Sequence, residues 1–249
     1  MLGVRTLGVD LAAADENTAL CLVEWTPRAL RIERLIARRA SDALIVDLAA
    51  DADVVAIDAP FGWPTPFVDV IASYRTGAAW PRQRPDDLWF RRTDVRTQGR
   101  TGGRWPLSVS SDRIARPAER AARLLTLLGT WGRAAARDGS DAVIEVYPAG
   151  ALRCWDIRAD GYKNADAREA RERIRDQLLG AVGLDVGEHE RAELAAEDHA
   201  LDALIASLVG RAFGLGRTTL PGEEDLDAAR REGWIHLPTI GLAQLGGEP

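Results

Sequence analysis

The stretch that most constrains this chain is Val54-Val55-Ala56-Ile57-Asp58, followed by Ala59-Pro60-Phe61-Gly62-Trp63-Pro64. Four apolar residues in a row, stopped by two prolines and a glycine, read as a core strand. Such a strand gains nothing from Asp58, because an ionised carboxylate is costly to bury unless something pairs with it. An acid at the C-terminal end of a core strand is where open α/β sheets place their chemistry. Fold and function therefore turn on which other charges the chain brings beside Asp58.

Residues 4–11 read as a first strand that ends near Asp10, with further strands at 18–25 and 30–36. Short connections make these three an antiparallel meander. Ser41 is suited to cap a helix running to about Ala50, and the strand-helix-strand order makes the Asp58 strand parallel to a neighbour. From 62 to about 117 the regular pattern fades into an insertion rich in arginine, tryptophan and proline. It is too long for an idle loop and too aromatic for disorder. Beyond it, helices are expected at 118–136, 165–182, 190–213 and 225–231. In the first of these, Ala121, Leu124, Leu125, Leu128 and Trp131 form the apolar stripe. A fifth strand is expected at 142–147, and 234–237 is a candidate last strand. The expectation is one α/β domain over residues 1–249.

Charge is distributed unevenly. The net charge is −6, yet residues 75–137 hold fourteen arginines against five acids. A basic segment on an acidic body suits an anionic partner such as phosphate. Arginine supplies nearly all the positive charge, since Lys163 is the single lysine. Cys21 and Cys154 match no zinc or redox spacing, so free thiols in a reducing cytoplasm are expected. No stretch approaches the ~18 uncharged apolar residues of a membrane span, and no signal peptide is expected.

Four places put carboxylates next to core elements: Asp10, Asp58, Glu145 within Val143-Ile144-Glu145-Val146, and the pair Asp198 and Asp202. The last two are four residues apart and share a helix face. Asp202 is set among Ala200, Leu201, Ala203, Leu204 and Ile205, where packing has no use for an acid. If the first strand is central, Asp10 and Asp58 lie side by side. Clustered carboxylates need a compensating cation, and hard divalent ions with oxygen ligands supply it. Two Mg²⁺ or Mn²⁺ about 4 Å apart support attack at phosphorus, so the chemistry suggested is phosphodiester hydrolysis. Each acid also has a structural reading. Glu145 in particular can pair with an arginine of the insertion.

The series Gly8-Val9-Asp10-Leu11-Ala12, Ala56-Ile57-Asp58-Ala59-Pro60-Phe61-Gly62-Trp63-Pro64, Phe90-Arg91-Arg92-Thr93-Asp94, Glu145-Val146-Tyr147-Pro148 and Asp198-His199-Ala200-Leu201-Asp202-Ala203 resembles the family called domain of unknown function 429. The resemblance covers roughly residues 4 to 238. It implies a ribonuclease H-like fold, with a mixed five-stranded sheet in the order 3-2-1-4-5 flanked by helices, and a predicted nuclease. Acids on the first strand, the fourth strand and a late helix of such nucleases match Asp10, Asp58 and Asp202, which makes these three the expected metal ligands. Glu145 or Asp198 is expected to complete the catalytic site.

Substrate phosphates and bases are assigned to Trp89, Arg91, Arg92, Asp94 and Arg96, together with Arg100, Arg104 and Trp105. The same arginines can equally pair with the acids of the body. Leu11-Ala12-Ala13-Ala14 after Asp10 offers no phosphate cradle, which argues against an ATPase. The three histidines show no zinc spacing; His199 is read as a helix-surface residue, with proton carrier as the alternative role. Two functions remain open: a Mg²⁺- or Mn²⁺-dependent nuclease or phosphodiesterase, and a non-catalytic module that binds nucleic acid or nucleotide.

Overall fold

In the computed structural model, which describes residues 3–27, 29–82 and 88–246, six strands form one mixed sheet flanked by helices. Arg84, Asp86 and Asp87 of the arginine-rich stretch lie outside the described residues. Strands β1 (Val4–Asp10), β2 (Ala19–Trp25) and β3 (Leu30–Ile36) make the antiparallel meander. Helix α1 (Asp42–Ala50) begins at Ser41, whose Oγ accepts a hydrogen bond from the Leu44 amide at 3.3 Å. It leads to β4 (Val54–Asp58), which pairs in parallel with β1 and sets Asp10 opposite Asp58. Strand β5 (Val143–Val146) joins β4 in parallel, and β6 (Ile235–His236) joins β5. The order is β3-β2-β1-β4-β5-β6, one strand more than the five expected. The apolar run at 234–237 supplies the extra strand by pairing along β5, which would otherwise present unpaired backbone.

Strand parity assigns each side chain to a layer. Leu7, Val9, Val55, Ile57 and Val143 face one side, against α1 and α4 (Ala115–Thr130). Val54, Ala56, Ile144 and Val146 face the other side, against α5 (Pro148–Cys154), α6 (Arg168–Val182) and α8 (Asp198–Gly214). Further helices among the described residues are α2 (Thr65–Arg75), α3 (Arg92–Thr101), α7 (Glu188–Ala196) and α9 (Leu226–Glu232). By the same alternation Thr6, Gly8, Asp10 and Asp58 point toward α8.

Helix α8 lies on β1 at van der Waals limits. A Cβ at Gly8 would stand 2.0 Å from the Ala203 carbonyl oxygen and 2.3 Å from the Ser207 amide nitrogen. A buried polar clamp holds the contact. Trp25 Nε1 donates to Thr6 Oγ1 at 2.8 Å, Thr6 and Ser207 share a hydroxyl contact of 2.7 Å, and Ser207 Oγ donates to the Thr6 carbonyl at 3.0 Å. Both hydroxyls of this clamp have partners, so their burial carries no desolvation penalty of an orphaned group.

Three sequence expectations change. The helix expected at 190–213 is two helices, broken at Glu197, whose φ of −117° and ψ of 119° are extended; this makes Asp198 the first residue of α8. The insertion holds α2 and α3, which hydrophobic periodicity misses for physical reasons. The only buried residue of α2 is Val70, and α3 buries Thr93, Asp94 and Thr97 rather than an apolar stripe. Trp131 is 76% exposed, not part of the α4 stripe, because α4 ends at Thr130 and the chain turns at Gly132 with φ +88°.

Gly8→Ala tests the strand-helix contact. The methyl would meet backbone that cannot rotate aside, so the substitution should destabilise the protein by about 3 kcal/mol or more, measured by urea unfolding. The same change at exposed Gly99, with nothing within 4 Å of the added Cβ, is the control and should not destabilise.

Candidate metal centre

Register and parity bring three carboxylates together. Asp10 closes β1, Asp58 closes β4 directly beside it, and Asp202 projects from the second turn of α8 onto the same sheet edge. Each offers an oxygen, and these atoms lie within 4.8 Å of one another. Octahedral coordination at about 2.1 Å puts ligand oxygens about 3–4 Å apart, so small side-chain movements close this set on one hard cation.

Existing partners hold two of the three acids. Tyr162 donates its hydroxyl to Asp202 Oδ1 at 2.6 Å, and the Lys163 ammonium sits 2.5 Å from Asp202 Oδ2. That Oδ2 is buried and receives no well-aligned hydrogen bond. His199 Nδ1 lies 2.5 Å from Asp10 Oδ2. No described residue donates a hydrogen bond to Asp58. A buried carboxylate oxygen without a proper donor and a neighbouring carboxylate with none are suited to a metal ion.

The electrostatics follow from this arrangement. Burial pushes the Asp58 carboxyl well above the usual range; Lys163 opposes the shift, while Asp10, Asp202 and Glu145 add to it. Burial likewise raises Asp202 to about 6 against the pull of Lys163. The hydrogen bond to Asp10 raises His199. For Lys163, desolvation acts downward but Asp202, Tyr162 and Asp58 outweigh it, so the ammonium is held protonated. Perturbed groups concentrated at one sheet edge mark a functional-site candidate.

The other expected site residues lie elsewhere. Glu145 belongs to the opposite strand face and pairs with Arg91: Nη2 to Oε1 is 2.6 Å and Nη1 to Oε2 is 2.8 Å. Arg91 also holds Asp94, Nη2 to Oδ1 at 2.9 Å, and all three side chains are buried. Glu145 Oε2 further accepts the Phe61 amide at 2.9 Å, so this cluster fixes the turn that follows Asp58. Arg92 and Arg96 each donate to Asp225 at 2.7 Å. The structural reading of these arginines is therefore the one realised in their contacts. Trp89 is exposed, with its carbonyl accepting from Ser108 at 2.6 Å. Asp198 is half-buried in the first turn of α8 and is not among the three clustered acids. There it favours the positive end of the helix.

Four supporting residues escaped the sequence reading. Lys163 carried one signal, being the only lysine among arginines. Tyr162, adjacent to it, carried none. Buried Glu232 accepts the Thr65 amide at 2.8 Å and the Arg92 amide at 2.7 Å, so one carboxylate caps both insertion helices. Buried Arg120 donates to the Ala12 carbonyl, Thr18, Asp15 and Asp42, which pins the loop after Asp10. Both act across large sequence separations that no local pattern encodes.

A cleft of about 120 Å³ runs from Asp58 and Lys163 past Tyr147 to Glu145 and Arg91, with Pro106 and Leu107 on its rim.

A family model described as "Protein of unknown function (DUF429)" matches residues 8–226, a span that includes all three clustered acids. No curated protein and no solved structure matches the chain.

Arg91→Ala should destabilise the protein by about 3–5 kcal/mol, since Asp94 and Glu145 would stay buried without their cation. The double change Arg91→Met with Glu145→Gln should recover part of that loss in the same unfolding measurement. A second expectation concerns pH. A carboxyl whose folded pKa is raised contributes stability below its unfolded pKa of about 3.9 and loses it as pH rises through the folded value. Metal-free Asp58→Asn should therefore match wild type near pH 4 and exceed it in stability near pH 7. Equal stability at both pH values would refute the strained carboxylate cluster.

Proposed function

We propose that this protein, which belongs to the DUF429 family of proteins of unknown function, is a divalent-metal-dependent phosphodiesterase acting on nucleic acid or nucleotide. One observation carries the reading: Asp10, Asp58 and Asp202 offer oxygens within 4.8 Å of one another at the carboxyl ends of two parallel strands. The antiparallel β3-β2-β1 meander extended in parallel by β4 and β5 supports a ribonuclease H-like assignment, with β6 as an added edge strand.

In this reading the three carboxylates hold Mg²⁺ or Mn²⁺. A bound ion supplies Lewis-acid polarisation of a phosphoryl oxygen and a water of lowered pKa. The protein's own contributions are positional. Arg120 and the Arg91–Glu145 pair hold the loops after Asp10 and Asp58. His199, on Asp10, is placed to hold or pass a proton at Nδ1. The cleft beside Asp58 receives the phosphate, and exposed Arg100 and Arg104 of the insertion remain candidates to meet the rest of an anionic chain. Free Cys21 and Cys154 suit a reducing compartment such as the cytoplasm. No helix among the described residues is long and apolar enough to cross a membrane.

A second reading, a metal-free module that binds nucleic acid or nucleotide, is favoured by one feature: Lys163 and His199 already offset part of the carboxylate charge. Mn²⁺ discriminates between the two. At a hundred times its Kd, Mn²⁺ should stabilise wild type by about 2.7 kcal/mol and leave Asp58→Asn unmoved. Hydrolysis of single-stranded oligonucleotides or bis(p-nitrophenyl) phosphate should fall at least about a hundredfold in that variant. Oligonucleotide binding without any Mn²⁺ dependence would establish the second reading instead.

A further inference from the structure

We propose that the Lys163 ammonium is the built-in second cation of the carboxylate centre, so that the site takes one divalent ion, bound chiefly by Asp10 and Asp58, rather than two. This deepens the metal-dependent reading above and rests on it. Carboxylate-lined phosphodiester sites commonly use two metal ions about 4 Å apart. Here one of the two places is already filled from within the chain.

The partners of Asp202 decide this. Its Oδ1 accepts from Tyr162 at 2.6 Å, and its Oδ2, which has no well-aligned hydrogen-bond donor, has the Lys163 ammonium 2.5 Å away, so a cation already stands where a second metal ion would bind. Asp10 keeps Oδ1 clear of His199, which touches Oδ2, and Asp58 has no donor among the described residues. The open carboxylate atoms thus lie on the strand side of the cluster, and the helix side is occupied by the lysine.

Charge points the same way. Three carboxylates are balanced by one divalent ion and one ammonium. A second divalent ion beside the ammonium would leave an excess of positive charge within a few ångströms, and among the described residues no fourth carboxylate joins the cluster. The residue type also fits. An ammonium is a compact point charge like a metal ion, whereas a guanidinium is a planar fork that needs a wider site. The chain uses arginine for every other basic side chain apart from histidine, and lysine only here. Half of the Lys163 side chain is exposed, and the residue lines the cleft with Asp58 and Tyr147. Its ammonium can therefore touch a phosphate as well as Asp202.

Calorimetric titration of Mn²⁺ into the full-length wild type and Lys163→Met tests this, with electron paramagnetic resonance of the Mn²⁺-saturated wild type as a readout independent of the variant. The expected result is one Mn²⁺ per wild-type chain with an uncoupled, mononuclear spectrum, and a second Mn²⁺ in Lys163→Met. Lys163→Ala serves in parallel should methionine disturb the loop. Two Mn²⁺ per wild-type chain with an exchange-coupled spectrum, or an unchanged single ion in both variants, would overturn the role of Lys163 while leaving a metal-dependent centre standing. No Mn²⁺ bound to any of the chains would defeat the metal reading, and the second-cation role with it.

Discussion

The close seating of α8 on β1 is the contact on which the rest of the centre depends. Gly8 removes the side chain that would hold the helix off, and the Thr6–Ser207–Trp25 hydrogen bonds lock the approach. With that contact made, Asp202, five residues before Ser207, stands on the same side as the strand-end acids. Helix and strand are both buried there, so the geometry is set by packing rather than by loop flexibility.

The arginine-rich stretch acts largely as a frame for the turns around the centre. Arg91 joins Asp94 to Glu145, Arg92 and Arg96 clamp Asp225, and Arg120 gathers the loop after Asp10 onto α1. Guanidinium suits this work because its planar fork bonds two carboxylates at once. The excess of arginine in this segment and the excess of acid elsewhere are thus partly two halves of internal ion pairs. Net charge by segment overstates what is left for an external partner.

At the centre itself, charge works against folding. Asp202 is buried and Asp58 half-buried near Asp10, and both are driven toward protonation in the absence of further cations. Lys163 and His199 relieve part of that repulsion. Stability held in reserve against a cation is a familiar cost of functional sites.

Much of this was legible in the sequence. Val54-Val55-Ala56-Ile57 running into Asp58 marked the strand and the sheet edge, the three-strand meander followed from alternation and short connections, and Ser41 marked the helix start, because strands, turns and caps are local in sequence. Asp202 stood out for the same reason, an acid within an apolar helical run. What only the tertiary structure decided was which charges meet. Glu145 and Asp202 look alike as acids amid apolar residues, yet strand parity sends Glu145 to Arg91 while α8 brings Asp202 to Asp10. Glu232 capping two helices and Lys163 facing Asp202 arise between segments far apart in the chain. A carboxylate's type and its local element are written in the residues around it; its partner is set by packing, which places distant segments within a few ångströms of each other.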